Sequence, residues 1–256
     1  MTARARLVMF LVSAAVIAAF FAAACTQLPT FGTPDHPYGE RAVAAALAHR
    51  TANVVSSVNF DIRAFDTLGE ESILFGTVLG ATLLLRRARD ERHRRAEAER
   101  VMPTTRLFGA LLLPITLVVG VYIVAHGQLS PGGGFQGGVV LATALHLAYV
   151  AADYRALKQL RPLTVLDVAD SLAAASFTLV GLAGLIASGT FLKNVLPLGT
   201  FNQITSGGTV PVLNAAVGVE VACGLIALLA HFLDQAVELT EPDEQSTADR
   251  SAKGDS

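Results

Sequence analysis

Six stretches of this chain are almost wholly apolar: Leu7–Cys25, Thr67–Leu85, Leu107–Ala125, Phe135–Ala152, Leu163–Ser188 and Val212–Leu233. Each has about 18–25 residues, the length an α-helix needs to cross bilayer hydrocarbon. The pattern predicts an all-α membrane protein with about six transmembrane helices. It also divides the chain. Residues 1–30 read as a first transmembrane helix or signal-like anchor, and 31–86 as an outer segment followed by the second span. Residues 87–104 read as a charged cytoplasmic linker, 105–235 as a four-helix domain and 236–256 as a disordered cytoplasmic tail.

Basic residues set the expected orientation. With the N-terminus inside, the cytoplasmic segments hold Arg4, Arg6, eight arginines from Arg86 to Arg106, Arg155, Lys158, Arg161, Arg250 and Lys253. The outer segments hold only Arg41, Arg50, Arg63 and Lys193. Both termini are therefore expected in the cytoplasm. Arg4, Arg6, the first apolar run and Ala22-Ala23-Ala24-Cys25 also resemble a bacterial lipoprotein signal, although alanine stands three places before the cysteine where a bulky aliphatic residue is usual. Cleavage there would leave the remaining topology unchanged.

Composition agrees with the membrane assignment. The chain is 52% hydrophobic and 16% charged, with mean hydropathy +0.52, against about 25% charged in soluble domains. A formal net charge of −2 says nothing about nucleic acid, and no basic groove with interleaved aromatics is visible, so no nucleic acid is expected as a partner. Cys25 and Cys223 both lie in apolar runs, which suits small apolar packing better than a disulfide framework or a metal site. No metal, cofactor or catalytic residue is called for.

The outer segment begins irregularly, with Pro29, Gly32, Pro34, Pro37 and Gly39. Glu40 to Asn59 is alanine-rich and reads as a helix on the outer surface or against partner subunits. Arg86 to Arg100 reads as a solvated helix with mixed i,i+4 charge pairs, ending near Pro103. Its basic excess would favour anionic headgroups by about 1 kcal/mol per residue.

Between the third and fourth runs stands His126-Gly127-Gln128-Leu129-Ser130-Pro131-Gly132-Gly133-Gly134-Phe135-Gln136-Gly137-Gly138. Pro131 stops a helix and the glycines admit backbone closed to other residues. The segment is either a tight turn at the membrane surface or a short broken element dipping inward, where irregular backbone must be buried in protein or line a wet cavity. It is no phosphate cradle, since no strand precedes it and no Gly-Lys-Ser/Thr follows.

This glycine motif, with Pro131, Gly132, Gly133, Gly134, Phe135, Gly137 and Gly138 between two apolar helices, resembles the MnhB-type subunits of the Mrp-type multisubunit sodium/proton antiporters. The resemblance covers roughly residues 105–235. A second stretch, Asn53 to Glu70, contains Asp61-x-Arg63-x-Phe65-Asp66-Thr67-Leu68-Gly69-Glu70. It is similar to the C-terminal part of the large Mrp-type antiporter subunit, a part that related hydrogenases carry as a small separate (MbhE-like) polypeptide. Ala64 departs from the glycine common there, and Ser56-Ser57 from a more apolar pair. The chain thus looks like two neighbouring antiporter pieces fused. The resemblance implies a multi-pass component of a bacterial cell-membrane complex, with other antiporter subunits, the lipid bilayer, Na+ and H+ as its partners.

Several polar residues inside the spans are candidates for an ion or proton path. Asp66 and Glu70 are four apart on one helix face, and Arg63 is placed to form an ion pair with Asp66. The same spacing of Thr67 and Glu70 would serve a helix-capping box instead. His146 lies mid-span and could relay protons or hydrogen-bond a neighbouring helix. Asp167 and Asp170 suit the first turns of their helix and read as structural. Glu220 lies near the bilayer middle, where an ionised carboxylate costs about 3 kcal/mol. Ala216, Cys223, Gly224 and Ala227 share its face, so it is expected to point at other helices, to handle ions or to join helices by a hydrogen bond. Gly134/Gly138 and Gly76/Gly80 are small-residue pairs expected to let helices approach.

Three functions follow: an antiporter component contributing to the ion path and to assembly, the same module in an energy-converting hydrogenase or related redox complex, or a structural spacer. None makes this polypeptide itself an enzyme. No internal repeat or paired broken helix points to a self-contained transporter.

Overall fold

The computed structural model describes residues 3–28, 32, 36–85, 101–152 and 163–236. They form helices α1 (Ala3–Thr26), α2 (Pro37–Ala48), α3 (Val54–Ser57), α4 (Ala64–Leu84), α5 (Pro103–Ala125), α6 (Gly134–Ala152), α7 (Leu163–Ser188) and α8 (Val210–Ala236), with a π turn at Val58–Ile62. No strand occurs among the described residues. The all-α assignment stands. Most of the basic linker, Arg155 to Arg161 and the tail beyond Ala236 lie outside the described residues.

Five described helices are long and apolar enough to cross a membrane: α1, α5, α6, α7 and α8. The second run forms α4, 21 residues long, whose adjacent Glu70 and Glu71 dilute its apolar character. The chain is a multi-pass membrane protein.

Two compact units are present, Met1–Arg41 and Ala42–Ser256. The first contains α1, a 24-residue helix apolar around its whole circumference. The second is built around α8, whose spanning stretch is 61% buried against 11% for α5. Its N-terminal half packs on Phe60, Ala64, Phe177 and Leu192 through Val210, Leu213, Val217 and Val221. The Phe60 and Phe177 rings lie 6.3 Å apart at 43°, within the range for favourable tilted pairs.

Lipid tails are as apolar as leucine, so helices in a bilayer gain by close approach rather than by hiding from water. The glycines supply that approach. A Cβ on Gly109 would stand 2.0 Å from that of Ala151, which brings α5 against α6. One on Gly134 would stand 2.4 Å from the Asn214 carbonyl oxygen, and one on Gly138 2.7 Å from the Val221 Cβ. These contacts run α6 parallel to α8 in matched register. The Gly76/Gly80 pair behaves differently, since a Cβ at either meets nothing within 4 Å. It packs against no described part of this chain.

The outer segment departs from the sequence reading. The single helix expected over Glu40–Asn59 is broken into α2 and α3, with Arg50 at φ +57° between them. Asn53 explains the break. Its Oδ1 accepts from the Val55 and Ser56 amides to cap α3, while its Nδ2 donates to the carbonyls of Gly127 (2.7 Å) and Ser130 (2.8 Å). Those bonds need Asn53 outside a helix.

The Thr67/Glu70 capping box is also absent. α4 starts earlier, at Ala64, and the Thr67 hydroxyl donates to the Asn59 carbonyl across the π turn (2.7 Å).

Candidate ion site in the helix bundle

The glycine segment is a turn, and a covered one. α5 ends at Ala125, α6 begins at Gly134, and Gly132 and Gly133 between them take φ +135° and +137°, which glycine alone adopts at little cost. Gln128 is fully buried and its Nε2 donates to the carbonyls of Ala125 and Ile204, fastening the turn beneath the α7–α8 connection.

Asn214 of α8 ties the two resemblance regions together. Its Oδ1 accepts from the Gly134 amide (2.9 Å), and its Nδ2 donates to the Ser56 hydroxyl (2.9 Å) and the Val210 carbonyl (3.1 Å). Every hydrogen-bonding atom of this buried amide is used. Asn214→Leu leaves the Gly134 amide buried without an acceptor, and is expected to cost about 2 kcal/mol. A lowered unfolding midpoint in mild detergent reads that loss, and an unchanged midpoint would contradict the assignment.

Below this knot, two acids meet. Glu220 on α8 and Glu71 on α4 are 1% and 2% exposed, and their side chains are near enough to interact across the α4–α8 contact. Neither receives a donor from the rest of the described chain: all four oxygens are buried and unpartnered. Two ionised carboxylates so placed repel, and burial removes the water that would screen them. A proton held between them, or a cation beside them, relieves the conflict. Both line a cavity of about 320 Å³ with Leu68, Ser72 and Phe75 of α4 and Ser171, Ala174, Ala175 and Thr178 of α7. Asp170 of α7, 8% exposed, lies beside the next turn of α8; its Oδ1 is 3.7 Å from where a Gly224 Cβ would stand.

The sequence candidates separate on this frame. Glu220 lies at the cavity, and its expected face of Cys223, Gly224 and Ala227 is buried. Asp66 and Glu70 lie on the exposed side of α4 and do not line the cavity. Arg63 pairs with Asp66, and His49 with Asp61 across the π turn. His146 lies on α6 with its Nε2 buried and unpartnered, and it does not line the cavity. Phe135 is partly exposed at the start of α6, while Gly137 abuts Val124 of α5.

Glu71 was missed. Its signal is the spacing of the buried positions of α4, Ala64, Thr67, Glu71 and Val78, a stripe at intervals of three, four and seven. The i,i+4 spacing from Asp66 and the motif ending at Glu70 point to Glu70 instead.

Comparison with known proteins places these features. Residues 104–227 match the model of a domain related to the MnhB subunit of Na+/H+ antiporter. An uncharacterised protein of Methanocaldococcus jannaschii is 30% identical over 202 residues, which cover 68% of this chain and 74% of that protein. The B-type Na+/H+ antiporter subunit of Alkalihalophilus pseudofirmus is 38% identical over 79 residues, 30% of this chain and 54% of that protein. Among solved structures, a chain of the membrane-bound sulfane sulfur reductase, an archaeal respiratory membrane complex, superposes with TM-score 0.69 at 27% identity, covering 89% of this chain and 98% of that one. A chain of the Mrp complex from Dietzia gives TM-score 0.63 at 23% identity, over 90% of this chain and 26% of that one.

Proposed function

The chain belongs to the MnhB-related family of membrane subunits of Mrp-type complexes, and from that premise we propose that it forms part of a monovalent cation/proton antiport path as well as of the assembly. The observation that carries this reading is the Glu71–Glu220 pair: two acids, buried and without donors, at a cavity between three helices. Unpaired acids inside a membrane protein are costly, and they are found where ions or protons pass. Asp66 and Glu70, on the exposed side of α4, are the stations offered to partner subunits. The N-terminal piece acts as a built-in neighbour of the MnhB-like domain, a reading supported by Asn53 and Ser56 bonding into the glycine turn and Asn214. Both chain ends are on the cytoplasmic side.

The test is transport by the reconstituted complex under an imposed pH gradient. Glu220→Gln keeps shape and hydrogen bonding but cannot ionise. It is expected to lower sodium-for-proton exchange at least about tenfold, an effect of roughly 1.4 kcal/mol. Unchanged exchange in a fully assembled complex would leave only the spacer role.

One observation favours a second setting for the same path. The sulfane sulfur reductase chain is matched over nearly its whole length, which fits a component of a respiratory membrane complex. Metal-bearing soluble subunits retained with this chain in mild detergent would select that setting, and antiporter subunits alone would select the first.

A further inference from the structure

The cavity between α4, α7 and α8 presents its contents with oxygen acceptors. Glu71 and Glu220 contribute four carboxyl oxygens, nine-tenths or more buried and unpartnered. Ser72 spends its hydroxyl hydrogen on the Leu68 carbonyl (2.7 Å), and Ser171 spends its own on the Asp167 carbonyl (2.8 Å). Each serine therefore has only lone pairs left to offer. Among the described residues no lysine, arginine or histidine lines the space. The charged groups nearest the pair are also acids: Glu70 on α4, and Asp170 on α7 with Asp167 one turn beyond it. A cavity built this way repels anions and gives a neutral acceptor nothing to bind. What enters must bring positive charge or a proton.

We infer that this cavity is a binding site for one monovalent cation of the sodium class, held directly by Glu71 and Glu220 with the Ser72 and Ser171 hydroxyl oxygens, and that the cation and a shared proton occupy it in alternation. The inference rests on the antiport reading and names the chemistry of its station. When the cation enters, the proton between the two carboxyls leaves, so one positive charge replaces another and the pair keeps the same net charge. At about 320 Å³ the space exceeds a bare ion, and a few waters, each about 30 Å³ in the liquid, complete the shell. Divalent ions suit such an alternation poorly. Two carboxylates in a weakly screened interior would hold a double charge too firmly for release, and a conduction site must let its ion go. Among the described residues no three His, Cys, Asp or Glu side chains gather as metal ligands. Asp170 is therefore the next stop inward rather than a ligand, reached past Gly224, where a side chain would press on Val78 at 3.1 Å.

Dicyclohexylcarbodiimide tests this, because it modifies carboxyl groups that carry a proton in apolar surroundings. The intact complex is labelled at fixed pH and ionic strength in choline chloride or sodium chloride, and adducts on Glu71 and Glu220 are read by peptide mass spectrometry. Labelling is expected in choline and should fall by about tenfold when sodium is ten times its half-protecting concentration. Ser171→Ala, at an exposed position of α7, should raise that concentration several-fold. Three results overturn the inference: no labelling in choline, labelling indifferent to sodium, or protection by magnesium or calcium alone. The antiport reading fails separately. Sodium flux with sodium-indifferent labelling discards only this site, whereas protection without flux keeps the site and discards antiport.

Discussion

Glu71→Gln is expected to lower exchange as much as Glu220→Gln, and the double variant to be no worse than either. The reason lies in how the two groups meet. Neither carboxyl accepts a hydrogen bond from another described residue, and each acts electrostatically on the other, so the pair handles charge as one unit, and groups acting as a unit give strongly non-additive losses. Independent stations would instead multiply, two tenfold losses giving about a hundredfold in the double variant. Flux through the reconstituted complex, measured for both singles and the double, separates these outcomes. Glu70→Gln supplies the contrast. It lies next to Glu71 in sequence but on the exposed side of α4, so its loss should weaken exchange less than the loss of Glu71.

The second large effect is structural. Gly138→Val places a side chain where the Val221 Cβ and the Gly218 carbonyl oxygen already stand, 2.7 and 2.8 Å from the new Cβ. One of those atoms is backbone in the middle of α8 and has little room to retreat. Overpacking a well-filled site costs about 1–3 kcal/mol when side chains can adjust, and more when they cannot. The variant should therefore yield little folded chain, read as loss of the monodisperse peak in detergent. Gly76→Val is the control for the chain itself, because nothing lies within 4 Å of a Cβ there. Normal folding of Gly76→Val with failed assembly would place a partner helix on that face.

Much of this architecture is legible in the sequence because the bilayer makes simple demands. Apolar length marks the helices, and the α5–α6 break is written in Pro131 and its glycines. The burial of Glu220 follows from the small residues on its face. What stays hidden depends on contacts between distant segments. No local rule breaks the helix after Ala48. Asn53 does so by bonding to Gly127 and Ser130, more than seventy residues away. Local reading likewise offers Thr67 as a cap, yet α4 already begins at Ala64 and the Thr67 hydroxyl donates to the Asn59 carbonyl in the π turn. Glu71 shows the same limit at the candidate site. Glu70 and Glu71 are chemically identical neighbours, separated by about 100° of helical rotation. Only the position of α8 decides which one is buried.

The most direct measurement of the central claim is an infrared difference spectrum of the complex in lipid, recorded on exchanging choline for sodium at constant pH. The expected result is that the absorption of a protonated carboxyl disappears, that carboxylate absorption grows in its place, and that both changes are missing in Glu71→Gln and in Glu220→Gln. A spectrum without carboxyl loss, or one that both variants reproduce in full, would contradict that claim.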